Sequence, residues 1–209
     1  PPTVADTGGP TSVASVPSFT PPLLLNGEVI GNRYRIVGLL GQGGFSEVYK
    51  VEDARDEGRV LALKLLRIGD LHGYALESLK AEFAMLAALS HPNLSAVHDF
   101  GFADGGVAYF TQSIAEGVRL DKTGVPLASA RGVALVSQLC RALDYLHARG
   151  ILHRDVKPGN VLVDLARDHV TLLDFGVSRT FGSVESGIVV GTHAYLAPEA
   201  IRGGPVDAR

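Results

Sequence analysis

Lys64 stands in the run Val60-Leu61-Ala62-Leu63-Lys64-Leu65-Leu66, and that placement narrows what the chain can fold into. Removing an ammonium group from water is costly unless a carboxylate meets it. Either the strand lies at a sheet edge and the lysine reaches solvent, or the fold delivers an acidic partner. Glu82, 18 residues on, is flanked at helical spacing by Leu79 and Leu86 and borders a candidate buried stripe. It can be that partner, or an ordinary solvated helix glutamate.

The pattern around Lys64 is strand-like. Residues 34–40, 47–52 and 60–66 are short β-branched or apolar runs separated by Gly- or charge-rich turns. Leu76, Leu79, Phe83, Leu86 and Leu89 then recur at helical spacing, until His91-Pro92-Asn93 stops the helix near Ser90. Strands are expected at 97–102 and 107–111. A long amphipathic helix is expected over 129–148, with Ser129 as N-cap, Gly150 as stop and an apolar stripe of Val133, Val136, Cys140 and Leu143. Short strands at 160–163 and 170–173 follow. A strand-rich half before a helix-led half predicts an α+β molecule of two lobes.

Residues 1–22 are rich in Pro, Ser, Thr and Gly and almost free of charge. They cannot bury enough apolar surface to offset their ordering entropy, so residues 1–28 are expected to form a disordered leader. The chain opens on Pro rather than Met, which suggests a cut fragment. Lys plus Arg total 19 against 22 Asp plus Glu, a net charge of −3, which argues against a nucleic-acid or anionic-lipid surface. A single cysteine, Cys140, excludes a disulfide scaffold and a Cys-rich zinc site. The seven histidines show no metal-ligand spacing. No apolar run approaches a membrane span, and the expectation is a cytoplasmic protein.

Three further stretches carry chemistry. Gly41-Gln42-Gly43-Gly44-Phe45-Ser46-Glu47-Val48 lets backbone N–H groups approach a polyanion, although by itself it reads more readily as a tight hairpin turn. In His153-Arg154-Asp155-Val156-Lys157-Pro158-Gly159-Asn160, polar groups crowd between an apolar helix and an apolar strand. Asp174-Phe175-Gly176 follows Asn160 by 14 residues. Asn160 and Asp174 would flank the short hairpin between them and could offer oxygen ligands to one hard cation, which leaves Asp155 to accept a proton. Ala197-Pro198-Glu199 comes later, preceded by Gly191-Thr192.

In this order these residues resemble the eukaryotic-type serine/threonine protein kinase family, from about residue 33 to residue 209, in a bacterial-looking form. The resemblance implies a two-lobed protein-kinase-like fold, with a β-rich N-lobe over 29–116 and a partial helical C-lobe over 117–209. It implies that the loop of Gly41, Gln42, Gly43, Gly44, Phe45 and Ser46 covers the ATP phosphates. Lys64 would hold the α and β phosphates and pair with Glu82, Asp155 would deprotonate the acceptor, and Asn160 and Asp174 would hold Mg²⁺. Lys157 and Thr192 match residues of the serine/threonine-specific members. Residues 109–116 align with the connection between lobes, so the backbones of Ser113 and Ala115 would contact adenine between Val48 and Ala62 above and Leu162 below. The implied partner is a protein substrate with a Ser or Thr acceptor. Many bacterial relatives carry a membrane span outside the kinase domain, so tethering through other regions is compatible.

The departures matter too. Ser46 replaces the third family glycine. Gln112 occupies the position behind the nucleotide, where an apolar residue or Thr is usual, and predicts a polar back wall. The family domain continues through helices that would begin near residue 206, including the arginine that pairs with Glu199. The chain as given is therefore expected to expose apolar surface and to be poorly stable or inactive. Thr180, Ser183 and Ser186 could take a phosphate that pairs with Arg154, or be plain loop residues. Cys140 is read as a small apolar residue of its helix stripe, and His153 as a brace for the catalytic loop. A pseudokinase that binds without transferring is the alternative, disfavoured because Lys64, Asp155, Asn160 and Asp174 are all present. A small-molecule phosphotransferase is disfavoured by the Ala-Pro-Glu segment and the Lys157 pattern.

Overall fold

The structure is a computed structural model that describes residues 24–42, 46–66, 74–124, 128–174, 193–202, 204 and 206–208. Gly43, Gly44, Phe45, Phe175, Gly176, Thr180, Ser183, Ser186, Gly191 and Thr192, together with residues 1–23 of the expected leader, lie outside the described residues.

Six strands form one antiparallel sheet: β1 (Val29–Ile30), β2 (Tyr34–Gln42), β3 (Ser46–Asp53), β4 (Arg59–Leu66), β5 (Val97–Phe102) and β6 (Ala108–Ser113), in the order β1-β2-β3-β4-β6-β5. β4 pairs with β3 on one side and β6 on the other. Its apolar run is thus that of a central strand, and Lys64 is not an edge lysine. Strand alternation sorts the side chains. Tyr49, Val51, Leu61, Leu63, Leu65 and Tyr109 join Ile30, Tyr34 and Ile36 in one apolar layer. The opposite face carries Val48, Ala62, Lys64, Leu66, Phe110 and Gln112. Helix α1 (Tyr74–Ala87) covers part of it, packing Leu79 and Leu86 with Leu66 and Phe110.

The sheet begins at Val29, and the two residues before it already bond to β2. Gly27 N–H donates to Ile36 O at 2.9 Å, and Ile36 N–H donates to Glu28 O at 2.8 Å. Arg33 makes paired bonds to the buried Asp53 at 2.7 and 2.6 Å, which fixes the corner between β1 and β2.

The second half holds a three-stranded sheet of β7 (Val118–Arg119), β8 (Val161–Asp164) and β9 (His169–Leu172), backed by α2 (Ser129–His147). Two expectations about α2 fail. Its N-cap is Ala128, with no side-chain cap, and Ser129 is already helical. Its buried residues are Leu135, Ala142 and Leu146, whereas Val133 and Val136 are 66% and 57% exposed and Cys140 is exposed. The helix is apolar on two faces, and periodicity alone does not choose between them. The face that packs against β9 is the one buried. A short helix α3 (Pro198–Ile201) begins at the Ala-Pro-Glu segment.

The halves are joined by the turn that ends α1. Asn93 Nδ2 donates to Val170 O at 2.7 Å and to Gln138 Oε1 at 2.9 Å. Leu172 N–H donates to Asn93 O at 2.8 Å. Among the described residues no helix is long and apolar enough to cross a membrane.

Candidate active site

The central strand delivers Lys64 to the face that looks toward the end of β9, and its Nζ donates to Asp174 Oδ1 at 2.5 Å. The lysine side chain is 10% exposed and the carboxylate 33%, so the buried charge is compensated at a point where solvent still reaches. The Phe110 ring centroid lies 6.0 Å from the ammonium, the outer limit of a cation–π contact. The lysine pairs with Asp174 rather than with Glu82. Among the described residues no ion pair joins Glu82 to Lys64, and Glu82 lines an apolar pocket with Leu66, Leu79, Phe83, Leu86, Phe100 and Phe110. Both acids border the interior, but the end of β9 brings Asp174 to the lysine.

Asp174 is held by its neighbours. Leu173 N–H donates to Asn160 O at 2.8 Å, which closes the β8–β9 hairpin and sets Asn160 next to Asp174. Asp174 and Arg154 adopt φ of 59° and 64°, a left-handed conformation that L side chains take up reluctantly and that tends to gather at functional sites.

His153, 2% exposed, braces both loops. Its Nε2 lies 2.9 Å from Leu173 O, and its Nδ1 lies 3.3 Å from the Asp155 nitrogen. A carbonyl only accepts, so Nε2 carries the proton, Nδ1 accepts from the Asp155 N–H, and the ring is neutral. Burial, the leading cause, pushes its pKa below that of an ordinary imidazole.

Asp155 is the centre of a second cluster. Its Oδ2 forms an ion pair with Lys157 Nζ at 2.7 Å and accepts from Asn160 Nδ2 at 2.8 Å. Asn160 Nδ2 also donates to Asp155 O at 2.8 Å. Both protons of that amide are thereby committed, and Asn160 Oδ1 is left as an oxygen donor. Among the described residues nothing hydrogen-bonds Asp155 Oδ1, and the side chain is 22% exposed. An oriented carboxylate oxygen with an adjacent cation is suited to receiving a proton from a bound hydroxyl. No group of three or more His, Cys, Asp or Glu among the described residues could hold a metal ion by itself. Asn160 Oδ1 and Asp174 fit a hard cation that completes its shell from phosphate oxygens and water.

Ala62 is buried and Val48 half-buried on the Lys64 face, and Leu162 is half-buried in β8. Gln112 is 7% exposed and pairs with Ala62 across the strands, which puts a polar side chain on the cleft face. Ser113 N–H donates to Ala96 O at 2.8 Å, and its carbonyl accepts from Ser95 Oγ at 2.9 Å. Among the described residues no hydrogen bond engages the Ala115 backbone. Gly41, Gln42 and Ser46 flank the loop at the sheet's end, with Gln42 opposite Glu47 as its last register pair.

Contacts therefore run from Lys64 through Asp174, Leu173 and Asn160 to Asp155 and Lys157. Two positions escaped the sequence reading. Asn93 was visible only as a helix stop, and Gln138, which holds it, carried no signal beyond its place on α2.

Comparison with known proteins gives three findings. The protein kinase domain family matches residues 34–209. The chain is 38% identical over 183 residues to the serine/threonine-protein kinase PknD of Mycobacterium tuberculosis, covering 84% of this chain and 27% of PknD. It is 37% identical over 202 residues to the DNA damage-responsive serine/threonine-protein kinase RqkA of Deinococcus radiodurans, covering 89% of this chain and 29% of RqkA. The chain thus spans less than a third of the length of these relatives. Its fold matches the crystal structure of the Mycobacterium tuberculosis PknI kinase domain, with TM-score 0.65 and 30% identity, over 88% of this chain and 71% of that one.

Proposed function

The chain belongs to the protein kinase domain family, and on that premise we propose that it transfers the γ-phosphoryl group of ATP to serine and threonine hydroxyls of protein substrates. The observation that carries this reading is the unbroken line of contacts from Lys64 to Asp155 and Lys157. Phosphoryl transfer requires positioning and charge neutralisation more than covalent chemistry. The relatives named above are serine/threonine-protein kinases, and Lys157 beside the base supports the same acceptor class.

Lys64 neutralises the α and β phosphates, exchanging Asp174 for them when ATP binds. Asp155 Oδ1 accepts the acceptor proton as the hydroxyl oxygen bonds to Pγ. The bond from Pγ to the β–γ bridging oxygen breaks, and ADP leaves with that oxygen. Lys157, which bonds Asp155 Oδ2, compensates charge on the transferred group. Asn160 Oδ1 and the Asp174 carboxylate would hold Mg²⁺, which supplies further neutralisation of phosphate charge. The Ala115 backbone and the second lone pair of the Ser113 carbonyl, whose N–H is bonded to Ala96 O, meet adenine, with Val48, Ala62 and Leu162 around it.

Transfer from ATP to a protein mixture by the full-length protein, compared with an Asp155→Asn variant, tests the reading. The variant should lose about 10²- to 10⁴-fold in rate. Equal transfer by both proteins refutes the role of Asp155, and no transfer by the parent with intact ADP binding favours a binding module.

A further inference from the structure

Glu47 is 1% exposed, and nothing in the transfer reaction uses it. It stands on the β3 face that carries Tyr49 and Val51, opposite Leu65 on β4, so its carboxylate lies at the end of an apolar layer. For packing alone a β-branched side chain would serve there without the desolvation cost of a carboxylate. Its hydrogen bonds suggest a different purpose. Oε2 accepts from the Tyr49 hydroxyl at 2.7 Å, and Oε1 accepts from Gln42 Nε2 at 3.1 Å. The Tyr49 oxygen in turn accepts from Leu24 N–H at 3.2 Å, which fixes the phenol from its other side.

Gln42 and Glu47 are also the last register pair of the β2–β3 hairpin before residues 43–45. Backbone pairing and a side-chain bond therefore coincide where β2 ends and β3 begins. A ligand that must hold the ends of β2 and β3 in place does so at the expense of affinity. A clamp between Gln42 and Glu47 holds those strand ends before the ligand arrives.

We infer that Glu47 is a positioning residue for the phosphate end of the nucleotide, acting through Gln42. The inference rests on the reading of residues 41–46 as the phosphate-covering loop. Glu47 touches no substrate atom. It sets where the strand ends that carry the loop are held.

The test compares adenosine and ADP binding, by titration calorimetry on the full-length protein, for the parent and for the Glu47→Gln, Glu47→Ala and Gln42→Ala variants. Adenosine lacks the phosphates and should bind all four proteins alike. ADP should bind Glu47→Ala and Gln42→Ala about five- to tenfold more weakly, the size expected for restoring freedom to one or two ordered groups. Glu47→Gln, which keeps an acceptor oxygen, should fall between. The Glu47→Ala/Gln42→Ala double variant should be no worse than either single one, because the two residues act as one unit. In steady state the loss in Glu47→Gln and Glu47→Ala should appear in KM for ATP with kcat at saturation unchanged. Equal ADP affinity in Gln42→Ala and parent overturns the inference, as does equal weakening of adenosine and ADP. Gln42 is exposed, so that variant remains informative if Glu47→Ala fails to fold. A parent protein that binds neither ligand refutes the nucleotide-binding reading instead.

Discussion

Lys64 and Asp174 lie 110 residues apart in the chain, and their side chains meet at 2.5 Å. The pair satisfies the cation of the central strand with the acid at the end of β9, so one contact both closes the interior and spans the cleft. Because Asp174 keeps access to solvent, the pair can open when another anion competes for the ammonium.

Lys64→Met separates those two roles. An apolar side chain of similar length suits a central strand, and the usual penalty for removing one member of a buried pair, a charge left buried alone, is avoided because Asp174 is 33% exposed and can be solvated. The thermal midpoint should stay level or rise, while kcat/KM for transfer falls by about 10²- to 10³-fold. Parallel melting and peptide-phosphorylation assays check both halves; a lowered midpoint would assign Lys64 a structural role instead.

His153 predicts a pH dependence. Burial holds its pKa down in the folded protein, so the unfolded chain takes up a proton as pH falls below about 6.5 while the folded one does not. Stability is unaffected by this group above that value and declines as pH drops toward 5. Urea unfolding from pH 7.5 to 5 should show the decline, and His153→Asn should make it shallower by up to about 1.4 kcal/mol per pH unit. An unchanged slope means that other groups cause it.

Gln112 should govern which inhibitors fit. With a buried amide on the cleft face, compounds that push an apolar group past adenine leave that amide without a partner. Gln112→Thr should tighten them by about tenfold, within the roughly 1–3 kcal/mol that a small apolar match is worth. Competition binding with paired compounds, with and without the apolar group, is the measurement. Unchanged affinities would remove Gln112 from the back wall.

Gly117 follows the hinge at a φ of +125°, and a Cβ there would lie 2.8 Å from the Val163 carbonyl carbon and oxygen. Both the backbone conformation and the collision penalise Gly117→Ala, by about 2–3 kcal/mol together. Chemical denaturation at neutral pH reads the loss directly. A smaller effect would mean that β7 shifts to make room.

The strands and α1 were legible because their apolar runs are bounded by glycine, proline and charge, and because each side of a strand or helix repeats at a fixed interval. The site was legible in its residues but not in its pairings. Nothing local distinguishes Glu82 from Asp174 as a partner for Lys64, since both are acids beside apolar residues and only the path of β9 decides. The same limit explains Cys140. Both faces of α2 carry apolar residues at helical spacing, and the choice of Leu135, Ala142 and Leu146 comes from β9 lying against them. β1 and β7, two residues each, are too short for any period to register.

Asn93 ties the turn after α1 to β9 and α2 by three hydrogen bonds, close to the β5 side of the six-stranded sheet. The upper sheet is therefore pinned near one border while β1, β2 and β3 lie toward the other. Any widening of the cleft becomes a swing about that pin, in which leverage grows with distance from it. The ends of β2 and β3, which lie farther from Asn93 across the strand order, then travel farther than Lys64 on the central strand.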